Sequence, residues 1–211
     1  PIDRATVVIR DDTIRAAGPA REVDVPKTAE VIDARGKTLM PGLIDAHLHL
    51  FGIRNYEFFA WAMEPPGMHA IRSVDEVRRI LEAGITTVCD LGSDNALLIK
   101  QTVEEGSIVG PRVRAVGRFM CQTGGIPDLF FLPIETMEGR RGRGFCRLVD
   151  GVGECLKAAR EQLRDGATEL KIGTTGGIDP SFIVAESAFT VEEIQAIASV
   201  AHNVGTKLRA H

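Results

Sequence analysis

The sequence predicts an α/β protein in which a parallel β-sheet alternates with helices, after a short antiparallel β-segment. The main observation is a unit of helix, glycine and strand that recurs along most of the chain. The second is a change of pattern at Pro41, before which β-branched residues dominate and no helical period is seen. Strands that alternate with helices of about 10 to 15 residues are typical of βαβ crossovers and a parallel sheet.

The first forty residues predict a small antiparallel sheet. Short runs rich in β-branched residues alternate there with turn residues, and each run has the length of a strand. Asp11-Asp12 and Ala34-Arg35-Gly36 stand at two of the turns, so the runs pair as two hairpins. We expect a β-sandwich segment over residues 1–41 and a second domain over residues 42–211. The predicted strands of the segment are 5–10, 13–18, 29–33 and 37–40.

After Pro41 the sequence predicts helices with recognisable ends. Ser73 with Glu76, and Thr190 with Glu193, have the spacing of a capping box that opens a helix. Glycines end the predicted helices and lead into apolar, β-branched runs. Two further predicted helices cover 95–105 and 152–164. The predicted strands are 43–49, 85–90, 112–117, 168–173 and 206–211.

A pair of histidines ends the first of these strands. Pro41-Gly42 leads into an apolar run that finishes in His47-Leu48-His49. Residues two apart on a strand point to the same side, so the two imidazoles converge on one point. Neutral imidazole is the commonest metal ligand, and a strand holds such a pair rigidly. The alternative is that both are ordinary residues of a half-buried strand.

Polar residues recur at the ends of the other predicted strands, where barrels and open parallel sheets both place their chemistry. These residues are Asp90, the Cys121-Gln122 region, Lys171 and His211. Asp90 either supports the site as a hydrogen-bond acceptor or begins a loop. Lys171 either belongs to the site or extends to solvent, and His211 is either a ligand or a frayed last residue.

The composition is that of an ordinary globular chain. With 211 residues, 44% of them hydrophobic, the chain can form a sizeable core. The net charge of −4 argues against nucleic acid and an anionic membrane as main partners, and no run approaches the roughly 18 apolar residues of a membrane span. Four widely spaced cysteines indicate buried thiols in a cytoplasmic protein. The sequence leaves a homo-oligomer open.

Together these motifs resemble the amidohydrolase superfamily of metal-dependent hydrolases. The resemblance covers nearly the whole chain, and its most specific part is the run from Pro41 to His49. Within the superfamily the chain is most similar to the branch of imidazolonepropionase, the metal-dependent prolidases and the Xaa-Arg dipeptidases. The similar stretches are 31–37, 41–49, 84–88, 110–113, 166–172, 175–177, 201–205 and 210–211.

The resemblance implies a (β/α)₈ TIM barrel, of which this chain holds about the first five βα units, and a site with two zinc ions. In such a site His47 and His49 bind the more buried metal, a carboxylated Lys171 bridges both metals, and His211 binds the second one. A lysine carbamate offers two anionic oxygens, which an ammonium cannot. Two metals about 3.5 to 4 Å apart lower the pKa of a bridging water and polarise the scissile carbonyl.

The activity implied is hydrolysis of the amide or peptide C–N bond of a small amino-acid derivative, such as a dipeptide or an N-acyl amino acid, by a metal-activated water. A cyclic-amide hydrolase or deaminase of the same superfamily is one alternative, and a non-catalytic barrel homologue or inactive fragment is another. A whole barrel takes about 250 residues. We therefore expect the general-base aspartate, the remaining metal histidine and the strands that complete the N-terminal segment to lie beyond residue 211.

Other residues have weaker claims to the site. We expect His69 in a loop, and His202 as a packing residue or one that interacts with a helix C-terminus. The basic, glycine-rich stretch 124–144 either binds a substrate carboxylate or is a solvated loop. Ile126 follows Gly124-Gly125 where the family branch often has a histidine, which weakens any inferred substrate contact there. The arginines of this stretch are Arg140, Arg141 and Arg143.

Overall fold

The computed structural model describes residues 1–54, 63–93, 95–126, 128, 133, 146–175 and 189–211. The chain divides into two compact units, Pro1–Pro41 and Gly42–His211. In the first unit, β1 (Ala5–Arg10) and β2 (Thr13–Pro19) form an antiparallel hairpin. Asp11 has a φ of 57° at the turn, a conformation that Asp tolerates better than most residues. The first predicted hairpin is confirmed.

The second predicted hairpin is wrong, because residues 29–33 and 37–40 form no strand. Val31 and Ile32 are 77% and 85% exposed. Strands are stabilised by cross-strand side-chain pairs and by one covered face. These side chains have no such cover, so a run of β-branched residues was not sufficient to form a strand.

The described residues of the second unit contain seven strands, and every pairing among them is parallel. One sheet has the order β3-β4-β5 and the other β7-β6-β8-β9. The Thr168 N–H donates to the Ala115 carbonyl at 2.7 Å, which links the end of β5 to the segment that leads into β8. The strands are β3 (Leu43–Leu48), β4 (Ile85–Asp90), β5 (Arg112–Ala115), β6 (Phe119–Cys121), β7 (Cys146–Leu148), β8 (Leu170–Ile172) and β9 (Leu208–Ala210).

The predicted parallel α/β fold is confirmed, although the number of strands is larger than expected. β6 and β7 were not predicted, and each has only three residues. The single strand expected over 112–117 is interrupted at Gly117, where φ is +72°. A strand of three residues is too short to show an alternating pattern.

Four helices are described in this unit: α1 (Pro66–Glu82), α2 (Asn95–Glu104), α3 (Gly151–Arg164) and α4 (Val191–Asn203). The capping box of α4 is confirmed, since Thr190 and Glu193 exchange both hydrogen bonds, at 3.3 and 2.8 Å. The capping box at Ser73 is wrong. Ser73 lies inside α1, where its hydroxyl donates to the Leu50 carbonyl.

Helix α1 starts at Pro66, eight residues before Val74, the first helical residue that a cap at Ser73 would give. Proline suits the first helical position, since its missing N–H would have had no helical partner. Ser73 also donates to the carbonyl of His69, four residues earlier, which is a usual bond for serine within a helix. No helix of the described residues is long and apolar enough to span a membrane.

The helices cover one face of the strands with two apolar clusters. Val77 of α1 packs with Val88 of β4 and Val113 of β5, and Ile197 of α4 packs with the strand residues Leu170 and Ile172. Side chains alternate along a strand, so Lys171 between the last two points to the opposite face. This alternation separates an apolar, helix-covered face from a face that carries the polar residues.

Candidate metal centre

The polar face gathers the predicted ligand residues from three strands. His47 lies near the end of β3, Lys171 at the middle of β8, and His211 directly after β9. The charge of Lys171 contributes to lowering the pKa of His47, of His49 and of His211, which requires the four groups to be close in space. The structure thus brings all four predicted residues together. Their role as ligands remains a prediction.

The two histidines at the end of β3 have neighbouring rings and differ in burial. Their ring centroids lie 5.4 Å apart with the planes at 69°. His49 is half-buried and stacks on Phe51, with centroids 4.9 Å apart and planes at 8°. His47 is exposed. The stacking limits rotation of the His49 ring, so this imidazole is the more rigid of the pair.

His49 is held in its neutral form. Burial lowers the pKa of His49 to about 4, and the positive charges of His47 and Lys171 act in the same direction. Its Nδ1 lies 3.0 Å from the carbonyl oxygen of Gly92. A carbonyl oxygen only accepts hydrogen bonds, so the hydrogen is on Nδ1 and the lone pair on Nε2. This is the usual arrangement of a metal-binding histidine.

Lys171 is buried, with 2% of its surface exposed. Burial lowers the pKa of its amine, and the nearby guanidinium of Arg209 lowers it further. The Nζ lies 5.3 Å from the centroid of the Phe119 ring, within cation–π range. A buried lysine with a lowered pKa is closer to the neutral, nucleophilic amine than a surface lysine is.

His211 is fixed by backbone hydrogen bonds at the end of β9. Its N–H donates to the Ile172 carbonyl at 3.0 Å, and its own carbonyl accepts a bond of 2.6 Å from the Thr174 hydroxyl. Its ring centroid lies 6.2 Å from that of Phe119. Burial lowers the pKa of His211, followed by the charges of Lys171 and His47.

The donors fit a divalent metal such as zinc, which binds neutral imidazole nitrogens and anionic oxygens. Three imidazoles with lowered pKa values supply the nitrogens. These imidazoles lie near one another, but in the part of the chain that the structure describes no three His, Cys, Asp or Glu side chains are placed so that they could hold a metal ion. A carboxylated Lys171 is the predicted source of anionic oxygens, and this role stays a prediction.

An ionic cluster that was not predicted from the sequence has Glu169 at its centre. Glu169 is 4% exposed and accepts hydrogen bonds from Arg114 at 2.7 Å and from Arg209. Burial raises the pKa of the Glu169 carboxyl, but the bonds from the two guanidinium groups lower it below its ordinary value. Glu169 and Arg209 precede Lys171 and His211 by two residues. The strand period of two was therefore a signal that could have found them.

The other candidates lie outside the cluster. The prediction of His69 in a loop is wrong, because this residue lies on α1 and is 2% exposed. His202 lies exposed in the last turn of α4, as expected of a residue near a helix C-terminus. All four cysteines are buried free thiols. Arg140, Arg141 and Arg143 lie outside the described residues.

Known proteins resemble this chain in sequence and in fold. Residues 38–211 match the Amidohydrolase family. Over its whole length the chain is 30% identical to the ochratoxinase of Aspergillus niger and covers 47% of that protein. A prolidase complexed with N-methylphosphonate-L-proline has a TM-score of 0.83 at 36% identity, covering 98% of this chain and 51% of that one. A Xaa-Pro dipeptidase with bound methionine has a TM-score of 0.80 at 26% identity, covering 98% and 51%.

The chain spans about half the length of the relatives it matches. The likeness to these solved structures confirms the amidohydrolase type of α/β fold that the motifs predicted. The strands described here form two open parallel sheets rather than a closed barrel.

Proposed function

Because this chain belongs to the Amidohydrolase family, we propose that it forms part of a metal-dependent hydrolase that cleaves the amide or peptide C–N bond of a small amino-acid derivative. The observation that carries the proposal is the convergence of His47, His49, Lys171 and His211 from three strands. The neutral state of His49 supports a role as ligand, and so does the burial of Lys171.

We propose zinc as the metal, with two ions that His47, His49, His211 and a carboxylated Lys171 would hold together. The neutral Lys171 amine attacks carbon dioxide, a new N–C bond forms, and one proton is released as the carbamate becomes an anion. When bound, zinc supplies Lewis-acid chemistry that polarises a carbonyl and lowers the pKa of water. The residues around the three histidines and Lys171 orient these side chains. The burial of Lys171 excludes the water that would favour its ammonium form.

For the substrate we propose a dipeptide or an N-acyl amino acid. The names of the relatives support this class: one is a prolidase complexed with a proline derivative and another is a Xaa-Pro dipeptidase, and the likeness to them covers nearly all of this chain. A small-molecule substrate is consistent with a net charge of −4, which does not favour nucleic acid. The cytoplasm remains our proposed location.

The test is hydrolysis of a panel of dipeptides, N-acyl amino acids and cyclic amides by the intact protein, with metal content measured in parallel. We expect thorough chelation to abolish hydrolysis and added zinc to restore it. His47→Ala should lower kcat/KM by at least about 100-fold, since losses of that size follow even from changing a residue that only hydrogen-bonds to a metal ligand. His202→Ala, at an exposed histidine on α4, is the matched control and should retain activity.

Lys171→Ala extends the same experiment. Short-chain carboxylic acids should partly restore its activity, because they supply the anionic oxygens that the carbamate provided. Lys207→Ala, at an exposed lysine just before β9, should need no such rescue. Hydrolysis that survives both chelation and His47→Ala would contradict the proposed metal chemistry. Turnover of the cyclic amides alone would move the assignment to a cyclic-amide hydrolase.

A further inference from the structure

We propose that Asp90 is a positioning residue that fixes the tautomer and orientation of His49 through the backbone of Gly92. The structural part of this inference is independent of catalysis. Its consequence for metal binding rests on the proposed role of His49 as a ligand. Asp90 and His49 are 41 positions apart in the sequence, so the fold brings them together.

The carboxylate of Asp90 is the centre of a hydrogen-bonded junction between the ends of β3 and β4. Asp90 is fully buried, with 0% of its surface exposed. Its Oδ2 accepts bonds from the Leu50 N–H at 2.6 Å and from the Ser93 hydroxyl at 2.5 Å. Its Oδ1 accepts a bond from the Gly92 N–H at 3.0 Å. One side chain thus joins the residue after His49 to the loop after β4.

The same loop presents a carbonyl to His49. The Gly92 N–H points to Asp90, while the Gly92 carbonyl oxygen lies 3.0 Å from Nδ1 of His49. Leu50, the neighbour of His49 in the chain, is held by the other oxygen of the same carboxylate. Asp90 therefore holds both the acceptor that faces the imidazole and the backbone that carries it. A charged acceptor makes such bonds shorter and stronger than a neutral one does.

The loop has little room to take another shape. Gly92 has a φ of +142°, and a Cβ built there would lie 3.0 Å from the Phe119 Cβ and 3.7 Å from the His49 Cε1. The Leu91 N–H donates to the Leu48 carbonyl at 3.0 Å, and the Ser93 N–H to the Gly117 carbonyl at 3.1 Å. The Gly92 carbonyl is consequently held at one position relative to the imidazole ring.

The direct test is the tautomer of His49 in the metal-free intact protein. Nitrogen chemical shifts of ¹⁵N-histidine, assigned with a His49→Gln variant, distinguish a hydrogen on Nδ1 from one on Nε2. We expect the hydrogen of the neutral His49 ring to be on Nδ1, which faces the Gly92 carbonyl oxygen. A hydrogen on Nε2 in the unmodified protein would overturn the proposal without the need for any variant.

Two substitutions then separate positioning from simple loss of stability. Asp90→Asn keeps the shape but places an NH₂ group where a carboxylate oxygen accepted a bond, so the loop must reorganise. We expect mixed tautomers of His49 and a zinc affinity about 10- to 100-fold weaker. Ser93→Ala removes a bond to the same carboxylate but leaves the Gly92 contact in place. We expect it to retain the Nδ1–H tautomer and a zinc affinity within about threefold of the unmodified protein.

Asp75→Asn, at a partly exposed aspartate of α1, makes the same change of charge away from this junction and should leave both measurements unchanged. A folded Asp90→Asn protein that keeps the Nδ1–H tautomer and the zinc affinity of the Asp75→Asn protein would overturn the proposal. The zinc titration and the tautomer are both measured without substrate. If the protein fails to hydrolyse the proposed substrates, the tautomer and the zinc affinity can still be as predicted. If the tautomer or the zinc affinity differs from the prediction, hydrolysis can still occur.

Discussion

Glu76 on α1 has a carboxyl group that is unusual for a helix residue. Burial raises its pKa to about 7; a backbone hydrogen bond from Gly52 opposes the shift and the charge of Asp90 adds to it. Among the described residues its Oε2 is buried without a hydrogen-bond partner. Ionising such a group is unfavourable. Glu76 is therefore protonated in the folded protein at pH values where an unfolded chain would have lost that proton.

From this we predict that Glu76→Gln stabilises the protein at pH 8. The folded pKa is raised from 4.5 to about 7, so the folded state binds more protons between these values. Stability from this group is fully present below pH 4.5 and is lost as the pH rises through 7. The neutral amide removes this dependence, so its thermal midpoint should exceed that of the unmodified protein at pH 8 and match it more closely at pH 5.

Glu82→Gln, at an exposed position of the same helix, is the control for the change of charge. If both variants shift the midpoint equally at the two pH values, burial of Glu76 is not the cause.

At the scale of single residues, the sequence predicted side chains better than the groups that orient them. His47, His49 and Lys171 could be found because their positions follow strand periodicity and because imidazole and amine have distinctive chemistry. The carbonyl of Gly92, which binds His49, could not be found, because every residue has a carbonyl. Only the three-dimensional path of the loop decides which one faces the ring.

At the scale of elements, local signals located strands and helices where the signal was unambiguous. The glycine after each helix and the capping box at Thr190 were correct. Ser73 and Glu76 have the same spacing as a capping box, yet both lie within α1. Tertiary contacts decided this case: Ser73 donates to the Leu50 carbonyl, which lies outside the helix. Such a contact is not visible in the sequence around Ser73.

The ionic cluster of Glu169 joins three strand segments and supports a prediction at this scale. Arg114 comes from β5, Arg209 from β9, and Glu169 immediately precedes β8. The carboxylate is nearly buried, whereas the two guanidinium groups keep 48% and 32% of their side-chain surface exposed. Glu169→Gln should lower the free energy of unfolding by about 1–3 kcal/mol, less than for a fully buried pair because water screens the arginines.

Urea denaturation of the intact protein measures this change. Glu104→Gln, which breaks an exposed pair with Lys100 on α2, should change stability by less than about 1 kcal/mol. Equal losses in the two variants would mean that Glu169 behaves as an ordinary surface carboxylate.

At the scale of the whole molecule, the repeated unit of helix, glycine and strand was enough to predict the parallel α/β fold. The hairpin of the first unit was also predicted, but the second pair of strands was not formed. The difference has a physical reason. In Gly42–His211 the apolar periodicity of helices and strands is satisfied by mutual burial, as with Val77 against Val88. Residues 29–40 have apolar side chains but no such cover, so local propensity did not decide their conformation.

The ligand cluster leads to a prediction for the stability of the molecule as a whole. Its members lie in or directly after β3, β8 and β9, so zinc held by residues of both sheets would join the two sheets of Gly42–His211. A ligand that binds only the folded state stabilises it, by about 2.7 kcal/mol at 100 times its dissociation constant. Adding zinc to the metal-free protein should therefore raise the midpoint of thermal unfolding by several degrees.

The zinc-dependent rise in the midpoint of thermal unfolding should depend on ligands from both sheets. We expect His47→Ala, in the β3 sheet, and Lys171→Ala, in the β8 sheet, each to remove most of the zinc-dependent rise, while His202→Ala retains it. If zinc raised the midpoint equally in all of these variants, the ion would be binding elsewhere. If it stabilised the Lys171→Ala protein but not the His47→Ala protein, the histidine pair alone would hold the metal, and the two sheets would not be joined through it.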